Sequence, residues 1–397
     1  MPWISAGRST VKDRSLAMEG AGQDMLRIFA SPARYVQGAD ATVKLSEQLR
    51  HLGLGARSLI VTSNSPRQSL ERVWRKSFSE HGLAVELFDF GGECSHTEII
   101  KGVAAARAFQ ATTIIGAGGG KTLDMARAVA GAMDLPIVCC PTTAASDAPC
   151  SALSVIYSDA GVFEKIEFYR RNPDLVLVDS AVIIRAPVRT LIAGMGDALA
   201  TCFEARACTG AGKPNVLGGA TTLAATAIAE LCYRTLLQDG VAALMAAREG
   251  VVTPAFERVV EANTLLSGLG FESAGLAVAH SVHNGLTALS ETHDFMHGEK
   301  VAFGTLVQLM LEEQPPALLR EAFGFCVDVG LPVTLAQIGL DEFTPSQAMI
   351  VATRALAAGE SAHNEPFAVT AEALADAIYA ADSYGRAFDV KERRQLA

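Results

Sequence analysis

The first half of the chain has a rhythm that constrains its fold more than any other feature. Between residues 57 and 185, short apolar runs alternate with segments of helical spacing. One helix is expected to begin at Ser65, where proline follows a good N-cap residue; others are expected to follow Thr97 and to begin at Lys121. This alternation predicts an open parallel sheet with helices on both faces. The apolar runs are residues 58–62, 85–90, 112–116, 136–140 and 175–178.

The second half, after Pro187, has a different pattern. Long Ala- and Leu-rich stretches follow one another, and no alternating strand pattern remains. We therefore expect an α/β domain over residues 25–185 and an all-α helical domain over residues 186–397. Residues 1–24 contain no continuous apolar core, so we interpret them as a flexible extension rather than a signal peptide. The helical stretches are residues 189–208, 220–237, 259–289, 301–312, 316–329, 345–357 and 371–388.

The composition argues against several classes of protein. Half of the 397 residues are hydrophobic and 19% are charged, which provides a large buried interior for two domains. The formal net charge of −10 argues against non-specific binding to nucleic acid or to anionic membranes, and no apolar run is long enough to span a bilayer. The eight cysteines form no Cys-x-x-Cys pair, so we expect reduced, buried thiols and a cytoplasmic protein.

A glycine-rich turn joins a predicted strand to a helix at residues 112–122. Glycine backbone N–H groups can approach an anion closely, and the helix start and Lys121 add positive charge. The spacing fits neither of two common nucleotide motifs. A P-loop needs glycine where Ile115 stands, and a Rossmann fingerprint starting at Gly116 needs glycine at position 121. The turn predicts a phosphate-binding loop; the alternative is a tight turn without a ligand.

A small, hydroxyl-rich segment at residues 141–157 follows the next predicted strand. Open α/β sheets bind ligands at the carboxyl ends of their strands. Asp147 in this segment is therefore a candidate acceptor for a substrate hydroxyl. The alternative is a loop aspartate that caps its own backbone.

Four of the eight histidines in the chain, His280, His283, His293 and His297, lie within eighteen residues. The first two are three residues apart and share roughly one helix face. Upstream, Asp197 ends the segment Gly-Met-Gly-Asp; read alone, such a carboxylate is typical of a helix start. Histidine and carboxylate ligands that leave one coordination position open are what a catalytic zinc needs. The cluster predicts a metal site; the alternative is a set of hydrogen-bonded structural histidines.

From about residue 27 to residue 388 the chain resembles the glycerol dehydrogenases of the iron-containing alcohol dehydrogenase superfamily. The matching segments include IIGAGGGKTLDMA, SDAPCSALSVIYSD, GMGDALAT, AHSVHNGLTAL and HGEKVAFGTLVQL. The resemblance implies a dehydroquinate synthase-like fold, in which an N-terminal dinucleotide-binding domain and a C-terminal helical metal-binding domain enclose the active site. It also implies zinc-dependent oxidation of glycerol to dihydroxyacetone, with hydride transfer to NAD, by a homo-oligomer that is commonly an octamer.

The same resemblance implies roles for individual residues. The metal ligands would be Asp197, His280 and His297, and Asp147 would contact a substrate hydroxyl; Asp147 and His280 are therefore the expected catalytic residues. Iron-using members have a histidine four residues after the aspartate, and Thr201 at that position favours zinc. The implied cofactor-binding residues are Ser63, Gly118, Gly119, Gly120, Lys121, Thr122, Thr142, Ala145, Ser151, Leu153 and Tyr157.

Ser63 departs from the pattern of these enzymes, which usually have an aspartate there that binds the adenosine ribose. A carboxylate repels a 2′-phosphate, whereas serine does not, and Arg67 lies nearby in the sequence. NAD is the expected cofactor because the other segments match, and NADP stays open as an alternative.

Other functions also stay open. A related polyol or 1,2-diol dehydrogenase, a glycerol-phosphate dehydrogenase or a lyase would share the fold. Enzymes of this fold that bind a phosphorylated or carboxylated substrate need extra basic residues, and the segments around Asp147 and His280 contain none. A non-catalytic nucleotide-binding protein would tolerate loss of the metal ligands, and all three are present here.

Overall fold

The structure is a computed structural model that describes residues 25–395. The extension expected at residues 1–24 lies outside the described residues, so that interpretation stays a prediction. Within the described part, no helix is both long enough and apolar enough to cross a membrane.

A parallel sheet forms the centre of the first half of the chain. The strands found in the described residues are β1 (Tyr35–Gly38), β2 (Arg57–Thr62), β3 (Ala84–Asp89), β4 (Thr113–Gly118), β5 (Ile137–Pro141), β6 (Leu153–Tyr157), β7 (Phe163–Phe168) and β8 (Leu175–Asp179). Six of them form the sheet, in the order β1, β8, β5, β4, β2, β3, and β6 pairs with β7 in an antiparallel ribbon. The predicted parallel sheet is confirmed, and its five predicted strands correspond to β2, β3, β4, β5 and β8.

Helices cover both faces of this sheet. In this half they are α1 (Leu45–His51), α2 (Asn64–Glu80), α3 (His96–Phe109), α4 (Gly120–Met133) and α5 (Ser180–Ile183). Successive residues of a strand point to opposite faces. Ile60 of β2 therefore packs into one core with Trp74 of α2, and Leu59 packs into another with Leu123 of α4.

The rest of the described chain is helical. Its helices are α6 (Val188–Gly210), α7 (Leu223–Glu249), α8 (Pro254–Glu261), α9 (Ser267–Ala274), α10 (Val278–Leu286), α11 (His297–Leu311), α12 (Pro316–Val329), α13 (Pro345–Ala355) and α14 (Ala371–Gln395). The stretch 259–289 is not continuous, because a π-helical turn at Ala262–Leu266 and a break at Gly275, with φ +104°, divide it. Reading Asp197 as a helix-start residue is also wrong, since it lies in the middle of α6.

Three glycines let helices of this half approach backbone to backbone. A Cβ atom at Gly196 of α6 would lie 2.3 Å from the carbonyl oxygen of Gly298 in α11, and one at Gly298 would lie 1.8 Å from that of Ala193. A Cβ atom at Gly304 of α11 would lie 2.3 Å from the carbonyl oxygen of Ala279 in α10. Any side chain would force these backbones apart, so the glycines hold α6, α10 and α11 close together.

Candidate metal centre and nucleotide site

Three side chains from these helices converge on one point. Asp197 comes from the middle of α6, His280 from α10 and His297 from the first residue of α11. The Nε2 atom of His297 lies 3.1 Å from Oδ1 of Asp197, and the Nε2 atom of His280 lies 3.5 Å from the same oxygen. The three candidate ligand atoms all lie within 4.8 Å of one another. The structure therefore brings together the residues expected as metal ligands.

The chemistry of this cluster fits a divalent metal ion. The Oδ1 atom of Asp197 is buried and accepts no hydrogen bond within the described part of the chain, although two imidazole nitrogens lie beside it. Burial opposes ionisation of Asp197, but His297 and His280 outweigh that effect and lower the pKa of this carboxyl. One carboxylate oxygen and two imidazole nitrogens are ligands typical of zinc, and three protein ligands leave a coordination position open.

Glu204 of α6 holds His280 in place, although it was not among the residues expected from the sequence. Its Oε2 atom lies 2.6 Å from Nδ1 of His280, and its Oε1 atom accepts from the backbone N–H groups of His280 and Ala277. Burial lowers the pKa of His280, but the neighbouring Glu204 carboxylate outweighs burial and raises it well above its ordinary value. A carboxylate on one ring nitrogen fixes the ring so that the other nitrogen faces the metal position.

A line of hydrogen-bonded side chains leads away from His297. Its Nδ1 atom lies 3.0 Å from Nε2 of His283, and Nδ1 of His283 lies 3.0 Å from Oδ1 of Asn284. The Nδ2 atom of Asn284 donates to Oε2 of Glu360 at 2.8 Å. Burial and the neighbouring His297 lower the pKa of His283 well below its ordinary value, which favours a neutral ring. His293 takes no part in this line and is exposed.

Asp147 lies beside the metal cluster although it comes from the other half of the chain. Its backbone N–H donates to Oδ2 of Asp197 at 3.1 Å, and its own Oδ2 accepts from the Ser267 hydroxyl at 2.8 Å. That hydroxyl lies 2.8 Å from the hydroxyl of Thr201. Burial and then the charge of Asp197 raise the pKa of Asp147 well above its ordinary value. The second oxygen of Asp147 accepts no hydrogen bond from the described residues, so it is available to a substrate hydroxyl.

The loop that carries Asp147 sits directly on α6. A Cβ atom at Gly194 would lie only 1.8 Å from the carbonyl oxygen of Ala144, and Asn263 of the π-helical turn donates to the same oxygen at 3.0 Å. These contacts join the two halves of the chain beside the metal cluster. The loop that positions Asp147 and the helix that positions Asp197 are therefore packed directly on each other.

The glycine-rich turn lies at the carboxyl edge of the sheet, between β4 and α4. Gly118 ends β4 and packs against α4, while the outer face of the next two glycines is open. A Cβ atom at Gly119 or Gly120 would meet nothing nearer than the hydroxyls of Thr143 and Ser146, at 3.8 and 3.7 Å. Open backbone at a helix start, bordered by hydroxyl groups, fits a phosphate.

Comparison with known proteins shows the family. Residues 32–180 match the family model described as iron-containing alcohol dehydrogenase. The chain is 50% identical over 364 residues to a glycerol dehydrogenase of Escherichia coli, which covers 92% of this chain and 99% of that protein. The chain belongs to the iron-containing alcohol dehydrogenase family. It is an oxidoreductase, and the resemblance to glycerol dehydrogenases expected from the sequence is confirmed.

Two further relatives place this alcohol dehydrogenase within the family. A glycolaldehyde reductase of Halobacterium salinarum is 46% identical and covers 91% of this chain and 99% of its own. The solved structure of a glycerol dehydrogenase from Schizosaccharomyces pombe superposes with a TM-score of 0.88, at 41% identity, over 93% of each chain. The fold expected from the resemblance is thereby confirmed.

The other cofactor-binding residues expected in this alcohol dehydrogenase border the same edge of the sheet. Lys121 is the second residue of α4. Its Nζ atom forms an ion pair with Glu93, 2.6 Å from Oε1, and lies 4.9 Å from the centre of the Tyr157 ring. A phosphate bound on the turn would therefore compete with Glu93 for this lysine. Ser63 lies between β2 and α2 and is half-buried. Of the remaining expected residues, Thr122 lies on α4 and Leu153 is the first residue of β6. The segment between β5 and β6 contains the other three, Thr142, Ala145 and Ser151.

Proposed function

We propose that this alcohol dehydrogenase oxidises glycerol to dihydroxyacetone, and catalyses the reverse reduction, with zinc at the metal cluster and NAD as the hydride acceptor. The observation that carries the proposal is the buried Oδ1 atom of Asp197, which accepts no hydrogen bond from the described residues and lies beside the Nε2 atoms of His280 and His297. The glycerol dehydrogenase of Escherichia coli, 50% identical over nearly its whole length, favours glycerol as the substrate.

The residues around the cluster then have defined tasks. When bound, zinc supplies a Lewis acid that lowers the pKa of an alcohol, and the nicotinamide supplies the hydride acceptor. Asp147 accepts a hydrogen bond from a substrate hydroxyl, while Ser267 fixes its carboxyl group. Glu204 holds the ring of His280, and His283 supports that of His297. Holding the reacting groups in one geometry removes much of the entropic part of the barrier.

Zinc is proposed over iron because of Thr201. In α6 this residue occupies the position at which a fourth ligand, a histidine, would stand in iron-using enzymes. Its hydroxyl instead contacts that of Ser267, which donates to Asp147. A three-ligand set of this kind is the arrangement typical of a catalytic zinc.

Short 1,2-diols and hydroxyaldehydes form a second candidate substrate class. The glycolaldehyde reductase of Halobacterium salinarum, at 46% identity, favours this class. Glycerol and short diols share a pair of neighbouring oxygens, so one site next to Asp147 suits both.

We also infer a cytoplasmic homo-oligomer, with an octamer as the form implied by the resemblance. All eight cysteines of the chain are buried free thiols. Unpaired thiols in this number suit a reducing compartment.

Formation of reduced nicotinamide, followed by its near-ultraviolet absorbance, tests this function. Metal-loaded protein should reduce NAD in the presence of glycerol, lose that activity on chelation and regain it with zinc. His280→Ala should abolish both zinc binding and turnover, whereas His293→Ala, an exposed histidine outside the cluster, should leave both unchanged.

Two results would contradict the proposal. Full turnover of chelated, metal-free protein would exclude the zinc role. Binding of NADH to zinc-loaded protein without oxidation of glycerol or of a short vicinal diol would exclude the substrate.

A further inference from the structure

The carboxyl end of β2 lies next to the glycine-rich turn. Register pairs Thr62 of β2 with Ala117 of β4, so Ser63 lies one strand spacing, about 4.8 Å, from Gly118. On the opposite side of β4, strand β5 leads to Asp147 and the metal cluster. A dinucleotide with its pyrophosphate on the turn and its nicotinamide beside Asp147 therefore has its adenosine over the end of β2.

The end of β2 lacks the acidic residue that selects NAD in dinucleotide sites. In dinucleotide sites, a carboxylate at such a strand end binds the ribose hydroxyls and disfavours a 2′-phosphate, whereas an arginine accommodates the phosphate. The segment from Thr62 to Asn64 contains no carboxylate, and the first turn of α2 contains no acidic residue. That turn holds Arg67, whose backbone N–H donates to the carbonyl oxygen of Ser63 at 3.1 Å.

The side chain of Arg67 already lies across the ends of two strands. It forms an ion pair with Asp89, the last residue of β3 and the register partner of Thr62, and its Nε atom lies 3.1 Å from Oε2 of Glu71. The carboxylate of Asp89 is 70% exposed, and an ion pair exposed to this degree is weak. A phosphate offers the guanidinium several charge-assisted hydrogen bonds, so it can displace Asp89.

We propose that this adenosine end accepts the 2′-phosphate of NADP(H), with Arg67 exchanging Asp89 for the phosphate, so that the enzyme uses both nicotinamide cofactors. The inference rests on the proposed function, because it requires a dinucleotide on the glycine-rich turn. Ser63 permits the phosphate, Arg67 binds it, and Asp89 competes with it.

Equilibrium binding of NADH and NADPH to the zinc-loaded enzyme, followed by nicotinamide fluorescence, tests the inference. The unaltered enzyme should bind both. Arg67→Ala should weaken NADPH binding at least roughly tenfold, the loss expected for a charged hydrogen bond, and leave NADH within about twofold. Asp89→Asn should strengthen NADPH binding several-fold and leave NADH unchanged. Ser63→Asp should disfavour NADPH relative to NADH by roughly tenfold or more.

Arg75→Ala is the matched control. Arg75 lies two turns further along α2 and also pairs with Glu71, with its Nε atom 2.7 Å from Oε1. Arg75→Ala removes one positive charge from α2, as Arg67→Ala does, and the affinities for NADH and NADPH should both stay unchanged.

The outcomes separate this inference from the proposed function. Binding of NADH without NADPH would overturn the role of the adenosine end and leave the proposed function standing. Equal effects of Arg67→Ala and Arg75→Ala on NADPH would overturn the assignment of Arg67. Failure to bind either nucleotide would overturn the proposed function and this inference with it.

Discussion

Gly298→Ala tests whether the close approach of α6 and α11 sets the metal geometry. The added Cβ atom would lie 1.8 Å from the carbonyl oxygen of Ala193, about 1.6 Å short of an ordinary contact at 3.4 Å. The start of α11 must therefore move away from α6. Because His297 precedes Gly298, its ring moves with the helix. We expect it to leave Asp197 by more than the roughly 0.2 Å that metal–ligand distances tolerate.

Zinc affinity, measured by competition with a chromogenic chelator, should fall at least roughly 100-fold in Gly298→Ala, since even loss of a residue that only supports a ligand costs 10- to 100-fold. Turnover should fall with it. Overpacking costs about 1–3 kcal/mol, which leaves a domain of ordinary stability folded.

Gly324→Ala in α12 is the control for Gly298→Ala, because its Cβ atom would meet nothing nearer than Phe388 at 3.7 Å. It should keep zinc and gain about 0.4–1 kcal/mol of stability. If Gly298→Ala kept the zinc affinity and turnover of the unaltered enzyme, the close approach of α6 and α11 would not set the metal geometry.

Three further predictions concern buried carboxyl groups. Glu204→Gln removes the charged acceptor on His280, so zinc affinity should fall roughly 10- to 100-fold in the same chelator assay while the circular dichroism stays unchanged. Asp147→Asn should lower kcat/KM for glycerol by roughly 10- to 100-fold without loss of bound zinc, because an amide nitrogen replaces one of the two oxygens that accept from Ser267 and from the substrate hydroxyl. Glu365 is buried beside Glu312, and burial, followed by that neighbour, raises its pKa from 4.5 to about 8. The folded state therefore binds a proton that the unfolded state releases, and this contribution to stability is lost as the pH rises from about 5 to 8. Glu365→Gln should reduce the drop in Tm over that interval, and an equal drop in both proteins would contradict the assignment.

The fold was largely predictable because each central strand is a continuous apolar run. Strands β2, β4, β5 and β8 are buried nearly end to end between helices, so apolar residues occupy both faces. Strand β7 escaped prediction because its sequence FEKIEF is mostly exposed. The short edge strand β1, YVQG, is half-buried throughout and carries no alternation.

The metal cluster was predictable in part because its histidines are close in sequence. Asp197 joins them only through the packing of α6 on α10 and α11, so a local reading could place it only at a helix start. Glu204 was harder to find, since an isolated glutamate in a helix usually faces solvent. It lies two helical turns after Asp197, on the same face of α6. That spacing was the one signal for its role.

The seating of the Ala144 carbonyl on Gly194 has a mechanical consequence. Two backbones this close, linked by the side-chain amide of Asn263, resist sliding. We therefore expect any relative motion of the two halves of the chain to be mainly a rotation about this contact. In such a rotation, residues close to the contact of Ala144 with Gly194 are displaced little, and residues far from it are displaced more. Asp147 lies near this contact, and the end of β2 lies beyond the glycine-rich turn. We therefore expect a rotation of the two halves to widen the site more at its adenosine end than at the metal cluster, whose geometry is preserved.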